Sequence, residues 1–350
     1  MFLDTYKPRD KKVAIVCIKQ SDKYNGIYYF AQDLIKSIEK DNTVTVITND
    51  MFKNSLINSE TEKEQNNSKR RSFLLLPKIN NKFLKWGYLF FFVPILLFKN
   101  KKKFDEIVFT TEDIPLLSTK FVFSFFSKSP GINLIIHDLA EYFIPRYSPI
   151  KDIYRRYIIK ILIKYSDKVI SVSKKTKEDI CTLKFKPEKK VEIFYNKVNI
   201  NMKTFIEDKN FLINHPTPYI IYVSGMDYPS KNHLWLIDKY TKMRKNGFDK
   251  NLYFIGNVDK NAKNLREINN IIEKNKLRNN LKIFNNLTDN EILNFYYHCD
   301  FTVFPSLYEG FGRPIIESIL MNKPVYSTEV GIYNEIKDHP LVHHFNELVE

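Results

Sequence analysis

A chain of 350 residues is too long for one ordinary hydrophobic core and predicts two domains of about 150–200 residues each. Its composition, 43% hydrophobic and 27% charged, is that of a globular protein and excludes a disordered chain. The three cysteines, Cys17, Cys181 and Cys299, are odd in number and widely spaced, and no CxxC or HExxH metal spacing occurs. This pattern indicates reduced thiols in a cytoplasmic compartment and predicts no metal site.

The net charge of +15 is divided unevenly along the chain. Residues 1–200 hold 37 Lys and Arg against 22 Asp and Glu, whereas residues 201–350 hold 18 of each. The excess is either a solvated basic surface or an attraction to an anionic partner such as a membrane face, a phosphate-bearing acceptor or nucleic acid.

The first half alternates short β-branched runs with longer helical stretches, which is typical of a parallel sheet covered on both faces. A helix is predicted after the first strand, another begins with a serine cap at Ser173, and the polar residues 52–70 are predicted to form a loop. The predicted strands are residues 12–18, 43–49, 106–110, 133–138, 168–173 and 191–196.

The longest apolar run, residues 86–98, is interrupted by Pro94 and is too short to span a bilayer, which needs about 20 residues. Lysines flank it on both sides, including the run at 99–103. It is either a buried helix leading into the next strand or an interfacial element that dips into a membrane surface. The polar first ten residues and the short run that follows them give no secretory signal.

A second α/β series follows the proline-containing stretch at 214–218. We therefore predict an α/β protein with an N-terminal domain at 1–200 and a C-terminal domain at 201–350, each opening with a strand, a glycine-containing turn and a helix. Ligands bind at the carboxyl ends of strands in such domains. The predicted strands of the second series are residues 219–225, 252–257, 281–286, 301–306 and 324–328.

Two carboxylates surround a glycine-containing turn in the segment FPSLYEGFGRPIIESILMNKP. Gly310 and Gly312 let the backbone turn sharply beside a ligand, and Pro314 suits the first position of a helix. The amides at such a helix start bind anionic oxygens. Glu309, and Glu317 in the predicted first helical turn, accept hydrogen bonds from hydroxyl groups of the kind that sugar and ribose present. The alternative is that both acids only complement the helix dipole.

This segment resembles the signature of family-4 glycosyltransferases, in which seven residues separate two glutamates. The match includes the preceding Pro-Ser, the turn centred on Phe311, the proline, the Glu-Ser pair and the later Asn-Lys-Pro-Val. The resemblance implies the GT-B fold, with two Rossmann-like domains whose parallel sheets face across a cleft. It also implies a retaining transferase that uses a nucleotide-sugar.

A second match is the stretch YVSGMDYPSKNH, which resembles the family's strand, glycine turn at Gly225 and Lys-Asn helix start. By this resemblance Lys231 meets the donor's diphosphate and neutralises the leaving group; otherwise it is an exposed lysine. Many members have an arginine where this chain has Met226, so the positive charge comes from Lys231 alone, from Arg313 or from the helix amides. The resemblance is strong over residues 217–336 and weak before them.

Two residues of the first half match the family pattern. Gly26 resembles the glycine that starts the first helix and faces the cleft, and His137 resembles the histidine of the strand-end His-Asp pair. His137 is therefore expected to contact the transferred sugar or the reacting centre, the alternative being a structural histidine. Arg146, Arg155 and Arg156 either bind an anionic acceptor or line a solvated helix face.

The roles implied by the resemblance are mostly positional and electrostatic. The second domain binds the donor and the first binds a saccharide or lipid-linked acceptor. Lys231 and the amides of residues 310–312 stabilise the diphosphate, Glu309 holds the sugar hydroxyls and Glu317 the ribose, while backbone groups near residues 284–287 meet the base. No general base is assigned. We expect no metal and no cofactor, since the nucleotide-sugar is a co-substrate and no Asp-x-Asp triplet occurs.

Such enzymes often extend capsule or lipopolysaccharide chains on a lipid carrier, which predicts a cytoplasmic protein at the inner face of the membrane that contacts anionic lipid through residues 1–200. The alternatives are a GT-B epimerase or phosphorylase, or a non-enzymatic anion-binding protein. We expect no nucleic-acid partner because no recognised module is present. The chain ends soon after the donor motif, so we expect its final helix to be abbreviated or reorganised.

Overall fold

The computed structural model describes residues 2–17, 26–58, 70–77, 79, 84, 87–112, 115–125, 129–145, 148–198, 200, 205–226, 229–257 and 263–349. The chain forms two compact units, the first made of Met1–Leu139 and Ile153–Lys197 and the second of Ala140–Asp152 and Val198–Glu350. Residues 140–152, which the sequence analysis placed in the first domain, thus belong with the second. The ring of Phe143 stacks on that of Tyr308, with centroids 4.8 Å apart.

The first unit contains a parallel sheet of seven strands in the order β3-β2-β1-β4-β5-β6-β7. All six predicted strands are present, each ending one to three residues earlier than predicted where the structure describes the end. Its strands are β1 Lys12–Val16, β2 Thr43–Thr48, β3 Arg71–Leu75, β4 Glu106–Phe109, β5 Gly131–Ile136, β6 Lys168–Ser171 and β7 Val191–Ile193.

Helices connect these strands, and the predicted serine cap is confirmed because the Ser173 side chain accepts a hydrogen bond from the amide of Thr176. A π-helix at Tyr88–Phe92 leads directly into α3. The α-helices of this part of the chain are α1 Gly26–Ile38, α2 Asp50–Asn58, α3 Val93–Lys99, α4 Pro115–Ser124, α5 Ala140–Phe143, α6 Pro149–Tyr165 and α7 Lys174–Thr182.

The predicted loop at 52–70 is wrong over residues 52–58, which belong to α2. The side chain of Asn49, just before this helix, accepts a hydrogen bond from the amide of Phe52. Residues 59–69 lie outside the described residues. The strand β3 that follows was missed. It is an edge strand held partly by the ion pair of Arg71 with Glu39, 2.6 Å apart, which local sequence patterns do not reveal.

The apolar run at 86–98 combines features of both predicted alternatives. Val93, Pro94 and Leu97 are buried, whereas Phe91 and Phe92 are exposed to solvent. Among the residues that the structure describes, none of the helices has the length and apolar character that crossing a bilayer requires.

The second unit contains a parallel sheet of six strands in the order β10-β9-β8-β11-β12-β13. The five predicted strands are present, and the short β13 was missed. The strands are β8 Tyr219–Val223, β9 Asn251–Ile255, β10 Leu281–Phe284, β11 Thr302–Phe304, β12 Val325–Ser327 and β13 Val342–His344. Its helices, besides α5, are α8 Phe211–Asn214, α9 His233–Lys245, α10 Lys263–Lys274, α11 Asp289–His298, α12 Arg313–Leu320, α13 Tyr333–Ile336 and α14 Asn346–Val349.

The strand order places a topological switch point in each sheet. In the first sheet β2 and β3 lie on one side of β1, and β4 to β7 lie on the other side. In the second sheet β9 and β10 lie on one side of β8, and β11 to β13 lie on the other. Crevices at such points, outside the carboxyl ends of the strands, are where doubly wound sheets bind ligands. The loops that follow β8 and β11 therefore lie at the expected binding edge of the second unit.

A buried lysine closes the carboxyl end of α6. Lys186 is 7% exposed, and its ammonium donates to the carbonyl oxygens of Ile163 and Lys164, both at 3.0 Å, and to that of Ser166. Burial lowers the pKa of this lysine to about 8. The three hydrogen bonds satisfy carbonyls that the end of a helix leaves without intrahelical partners.

We predict that Lys186→Met lowers the free energy of unfolding by about 1–3 kcal/mol, because it removes the ammonium that donates to three carbonyls at the end of α6. Urea titration monitored by circular dichroism measures this loss. The exposed Lys189→Met is the matched control and should change stability by less than about 0.5 kcal/mol. Equal stability of the two variants would contradict this role for Lys186.

Candidate active site

The loops after β8 and β11 bring together the two motifs found in the sequence. Lys231 ends a short 3-10 turn, Pro229–Lys231, after β8, and Glu309 follows β11. The Lys231 Nζ lies 2.5 Å from Glu309 Oε1, and both side chains are mostly buried, with 21% and 13% of their surface exposed. The structure therefore joins, as an ion pair, two predicted site residues that are 78 positions apart.

Neutral hydrogen bonds hold these two loops together independently of the ion pair. The hydroxyl of Tyr222, a fully buried residue of β8, donates to the carbonyl of Lys231 at 2.8 Å and lies 3.1 Å from the hydroxyl of Ser306. Across the loops, the amide of Leu307 donates to the carbonyl of Ser230 at 2.8 Å. The loops are thus positioned before any ligand binds, which is the preorganisation that electrostatic catalysis requires.

The glycine turn after Glu309 is tightly packed. Gly310, Phe311 and Gly312 are all buried. Gly312 has φ +88° and precedes α12, a conformation that L side chains rarely adopt. Phe311 is packed because the amide of Ile332 donates to its carbonyl at 2.7 Å.

A second glycine fixes the same turn from outside. Gly331 has φ +56°, and a Cβ atom there would lie 2.2 Å from the carbonyl oxygen of Phe311. Only a residue without a side chain allows this approach, so Gly331 sets the position of the backbone between Glu309 and Gly312.

Glu317 is the fifth residue of α12 and lies just beyond the first turn in which it was predicted, because the helix begins at Arg313, one residue before Pro314. Its carboxylate accepts a hydrogen bond from the buried hydroxyl of Tyr296 at 3.0 Å and lies 3.5 Å from Arg313 Nε. The first turn of α12 contains no acid, so neither Glu309 nor Glu317 occupies the position that the helix-dipole alternative requires.

The glycine turn after β8 packs tightly against the end of β9. Gly225 is half-buried, and Met226, which stands where many relatives have arginine, is fully buried. A Cβ atom at Gly256, after β9, would lie 2.0 Å from the carbonyl oxygen of Ser224, so glycine is required for this contact. Met226 thus contributes to packing and brings no positive charge to this turn.

A buried histidine supports the same turn. His233, the first residue of α9, packs its ring against Tyr222 and Phe254, and its Nε2 lies 3.1 Å from the hydroxyl of Ser224. Burial, together with the charge of Lys231, lowers the pKa of His233 to about 3. The ring is therefore neutral at physiological pH, so it can hold Ser224 without adding charge to the site.

The two predicted site residues of the first half lie in the first unit. His137 directly follows β5, and its Nε2 lies 2.8 Å from the carbonyl oxygen of Thr110, which only accepts hydrogen bonds. Nε2 therefore carries the proton, and a neutral ring has its lone pair on Nδ1. The ring packs against Phe30 of α1, one helical turn after Gly26, which begins that helix as predicted. Both residues thus lie at one edge of the first sheet.

Several residues that shape the site were missed from the sequence. Tyr222 and Tyr296 look like ordinary apolar positions of a strand and a helix, and only the fold shows that their hydroxyls reach Lys231 and Glu317. Gly331 could have been found from the sequence, since it is one of only 9 glycines in the chain and lies three residues after a predicted strand.

Comparison with known proteins identifies the second unit. Residues 217–347 match the model of the family described as glycosyl transferases group 1. These residues form a group 1 glycosyltransferase domain. The family resemblance inferred from the two motifs is thereby confirmed. Among curated proteins, the chain is 27% identical over 244 residues to the O-antigen chain mannosyltransferase RfbU of Salmonella typhimurium. The alignment covers 69% of the chain and 60% of that relative's length.

Solved structures confirm the predicted GT-B fold of the chain. Anabaena HepE in complex with UDP-glucose aligns with a TM-score of 0.69 and 18% identity, over 97% of this chain and 88% of that one. WaaG, a glycosyltransferase involved in lipopolysaccharide biosynthesis, aligns with a TM-score of 0.62 and 15% identity, over 95% and 85% of the two chains. At these identities the likeness establishes the fold alone.

We predict that acid destabilises the folded protein through His233. The pKa of His233 in the folded protein lies well below the ordinary 6.5. Below pH 6.5 the unfolded chain therefore binds a proton at this histidine, whereas the folded chain does not. The contribution of His233 to the free energy of unfolding is therefore fully present above pH 6.5. It falls by about 1.4 kcal/mol per pH unit as the pH drops below that value. Urea unfolding between about pH 7 and pH 5 measures this slope.

The variant His233→Gln should lose this contribution to the slope, because glutamine does not titrate. The exposed His339→Gln serves as the matched control and should keep the wild-type slope. If His233→Gln and the wild type lose stability equally on acidification, the buried histidine is not the cause.

Proposed function

We propose that the protein is a retaining glycosyltransferase that moves a sugar from a nucleotide-diphosphate donor to a saccharide or lipid-linked acceptor in bacterial surface polysaccharide synthesis. The observation that carries this proposal is the pairing of Lys231 with Glu309 at the carboxyl ends of β8 and β11. It supports donor binding because it places one cation and one hydroxyl acceptor at the switch point of the sheet.

The ion pair suggests how donor binding is organised. A diphosphate beside Glu309 alone would meet like charge, whereas a diphosphate beside Lys231 gains a favourable ammonium. In the proposed arrangement Lys231 lies between the diphosphate and Glu309, and the carboxylate of Glu309 faces the sugar. Glu309 then accepts hydrogen bonds from sugar hydroxyls, and Lys231 stabilises the charge that grows on the departing diphosphate.

Glu317 is proposed to hold the ribose. A carboxylate offers about four lone-pair positions, and the contacts with Tyr296 and Arg313 leave capacity to accept ribose hydroxyls. Burial raises the pKa of the Tyr296 hydroxyl, so it remains a proton donor that fixes the orientation of Glu317. Backbone groups near residues 284–287, at the end of β10, are proposed to meet the base.

The proposed chemical step needs no enzymic nucleophile. The acceptor oxygen bonds to the anomeric carbon on the face that the diphosphate leaves, the bond from that carbon to the phosphate oxygen breaks, and the acceptor proton passes to the leaving phosphate. The second unit would bind the donor and the first unit the acceptor, with His137 contacting the transferred sugar. The work of the protein is then positioning and charge stabilisation.

The acceptor class follows from the relatives and from charge. A curated relative is described as an O-antigen chain mannosyltransferase, and two structural neighbours are described as lipopolysaccharide glycosyltransferases. The first unit carries all of the excess positive charge, with 35 Lys and Arg against 20 Asp and Glu, whereas the second has 20 of each. We therefore propose action in the cytoplasm, at the anionic inner face of the membrane.

We predict that one nucleotide-sugar binds saturably and that Lys231→Ala and Glu317→Ala each weaken this binding by at least about tenfold, because each removes a proposed donor contact. Isothermal titration against UDP-, GDP- and ADP-sugars measures the affinity. Lys242→Ala, at an exposed position of α9, is the matched control and should bind like wild type.

Two outcomes would contradict the donor site. No binding to a folded protein by any donor would refute the transferase proposal. Binding that survives in both site variants would place the donor elsewhere. Release of free nucleotide without an acceptor would favour the epimerase or phosphorylase alternative.

We predict retention of configuration at the anomeric carbon. With an α-linked donor, the ¹H anomeric coupling of the purified product should be that of an α-linkage, because attack and departure share one face. A β-linked product from that donor would refute the same-face step while leaving the donor site intact.

A further inference from the structure

We propose that the helices α3 and α4, with the π-helix that precedes α3, form an aromatic surface that inserts into the headgroup region of an anionic membrane. This inference rests on the proposed function, in which the acceptor is lipid-linked, and it adds apolar insertion to the electrostatic attraction. We call this set the aromatic surface, and it consists of Phe91, Phe92, Ile95, Phe121 and Phe125.

The exposed side of the first helical segment is apolar. Val93, Pro94 and Leu97 are buried on one side, whereas Phe91 and Ile95, one turn apart, are 64% and 46% exposed. A helical segment at a protein surface normally has a polar solvent-facing side, whereas both the buried and the exposed sides of this segment are apolar. The outer side therefore has the composition of a surface that another apolar phase covers.

A second helix adds two aromatic rings. Phe121 and Phe125, at the end of α4, are 66% and 69% exposed, and their rings contact each other edge to face at 5.1 Å. The helices α3 and α4 pack together, and Phe98 of α3 contacts the buried Phe123 of α4 at 5.8 Å. This contact brings the carboxyl ends of the two helices together, so the exposed rings of α4 lie beside the end of α3.

Lysines lie at the same end. Lys99 closes α3, and a 3-10 turn at Lys101–Lys103 follows, with Lys99, Lys102 and Lys103 exposed. The ammonium of Lys101 lies 4.3 Å from the ring centroid of Phe98. Exposed phenylalanines next to a cluster of lysines are the composition by which proteins bind membrane interfaces, where rings enter the acyl boundary and lysines remain with the headgroups.

Charge decides between a membrane and a second copy of the chain. Each juxtamembrane lysine near an anionic bilayer is attracted to the lipid headgroups. Two copies meeting through this surface would instead bring two lysine clusters, and two units of net charge +15, against each other. The anionic lipid surface is therefore the occupant that complements both the rings and the lysines.

Flotation with phosphatidylcholine vesicles containing about one quarter phosphatidylglycerol tests the inference. Binding is measured in low salt and in about 0.5 M NaCl, where screening acts within about 4 Å and removes most electrostatic attraction. We expect the wild type to keep part of its binding in high salt. The variant Phe91→Gln/Ile95→Gln/Phe121→Gln should bind at least about tenfold more weakly in both conditions.

Two control variants separate the contributions. Lys101→Gln/Lys102→Gln/Lys103→Gln should weaken binding in low salt but not in high salt. Ile206→Gln/Leu212→Gln/Ile213→Gln removes three exposed apolar side chains from the second unit and should bind vesicles like wild type. Circular dichroism verifies that each variant is folded.

Binding by the aromatic variant at the wild-type level would overturn the inference, as would complete loss of wild-type binding in high salt. If the wild type were a dimer and the aromatic variant a monomer, with equal vesicle binding, the aromatic surface would be assigned to contact with a second copy. Donor titration on the same samples separates the two proposals, since the aromatic variant should bind the nucleotide-sugar normally. Vesicle binding without donor binding would refute the proposed transferase function but would still support the proposed membrane contact of the aromatic surface.

Discussion

The ion pair between Lys231 and Glu309 is the interaction on which the second unit's site depends. Both side chains are largely removed from water, and an isolated charge in such a position costs several kcal/mol. Each residue is therefore tolerated because the other is present, and the loops after β8 and β11 are mutually dependent. The parallel pairing of β8 with β11 places them side by side, so the sheet order is itself part of the site.

The groups around this pair are held neutral by burial. The pKa of His233 falls to about 3, and the pKa of the Tyr222 hydroxyl is raised, mainly because both are buried. Neither group titrates near neutral pH, so they orient the loops without altering the charge that a donor would meet. A preorganised site requires fixed dipoles of this kind, because reorienting them during the reaction would raise its barrier.

Much of this arrangement could be predicted from the sequence, and the failures have physical causes. The eleven predicted strands were visible because strands buried on both faces are nearly continuous apolar runs. The missed strands, Arg71–Leu75 and Val342–His344, lie at sheet edges and are less apolar. Lys231 and Glu309 were predicted separately from their motifs, whereas contacts such as Tyr296 with Glu317 join distant segments and leave no local pattern.

The separation of charge between the two units has a further consequence for specificity. If the second unit carried the basic excess, any polyanion would be drawn to the donor site, because long-range attraction does not distinguish a nucleotide-sugar from other phosphates. With its balanced 20 positive and 20 negative side chains, donor recognition would rest on short-range contacts such as those proposed for Lys231 and Glu317. The first unit, with its excess of 15, can then attract an anionic surface without competing for the donor, and the two electrostatic tasks do not interfere.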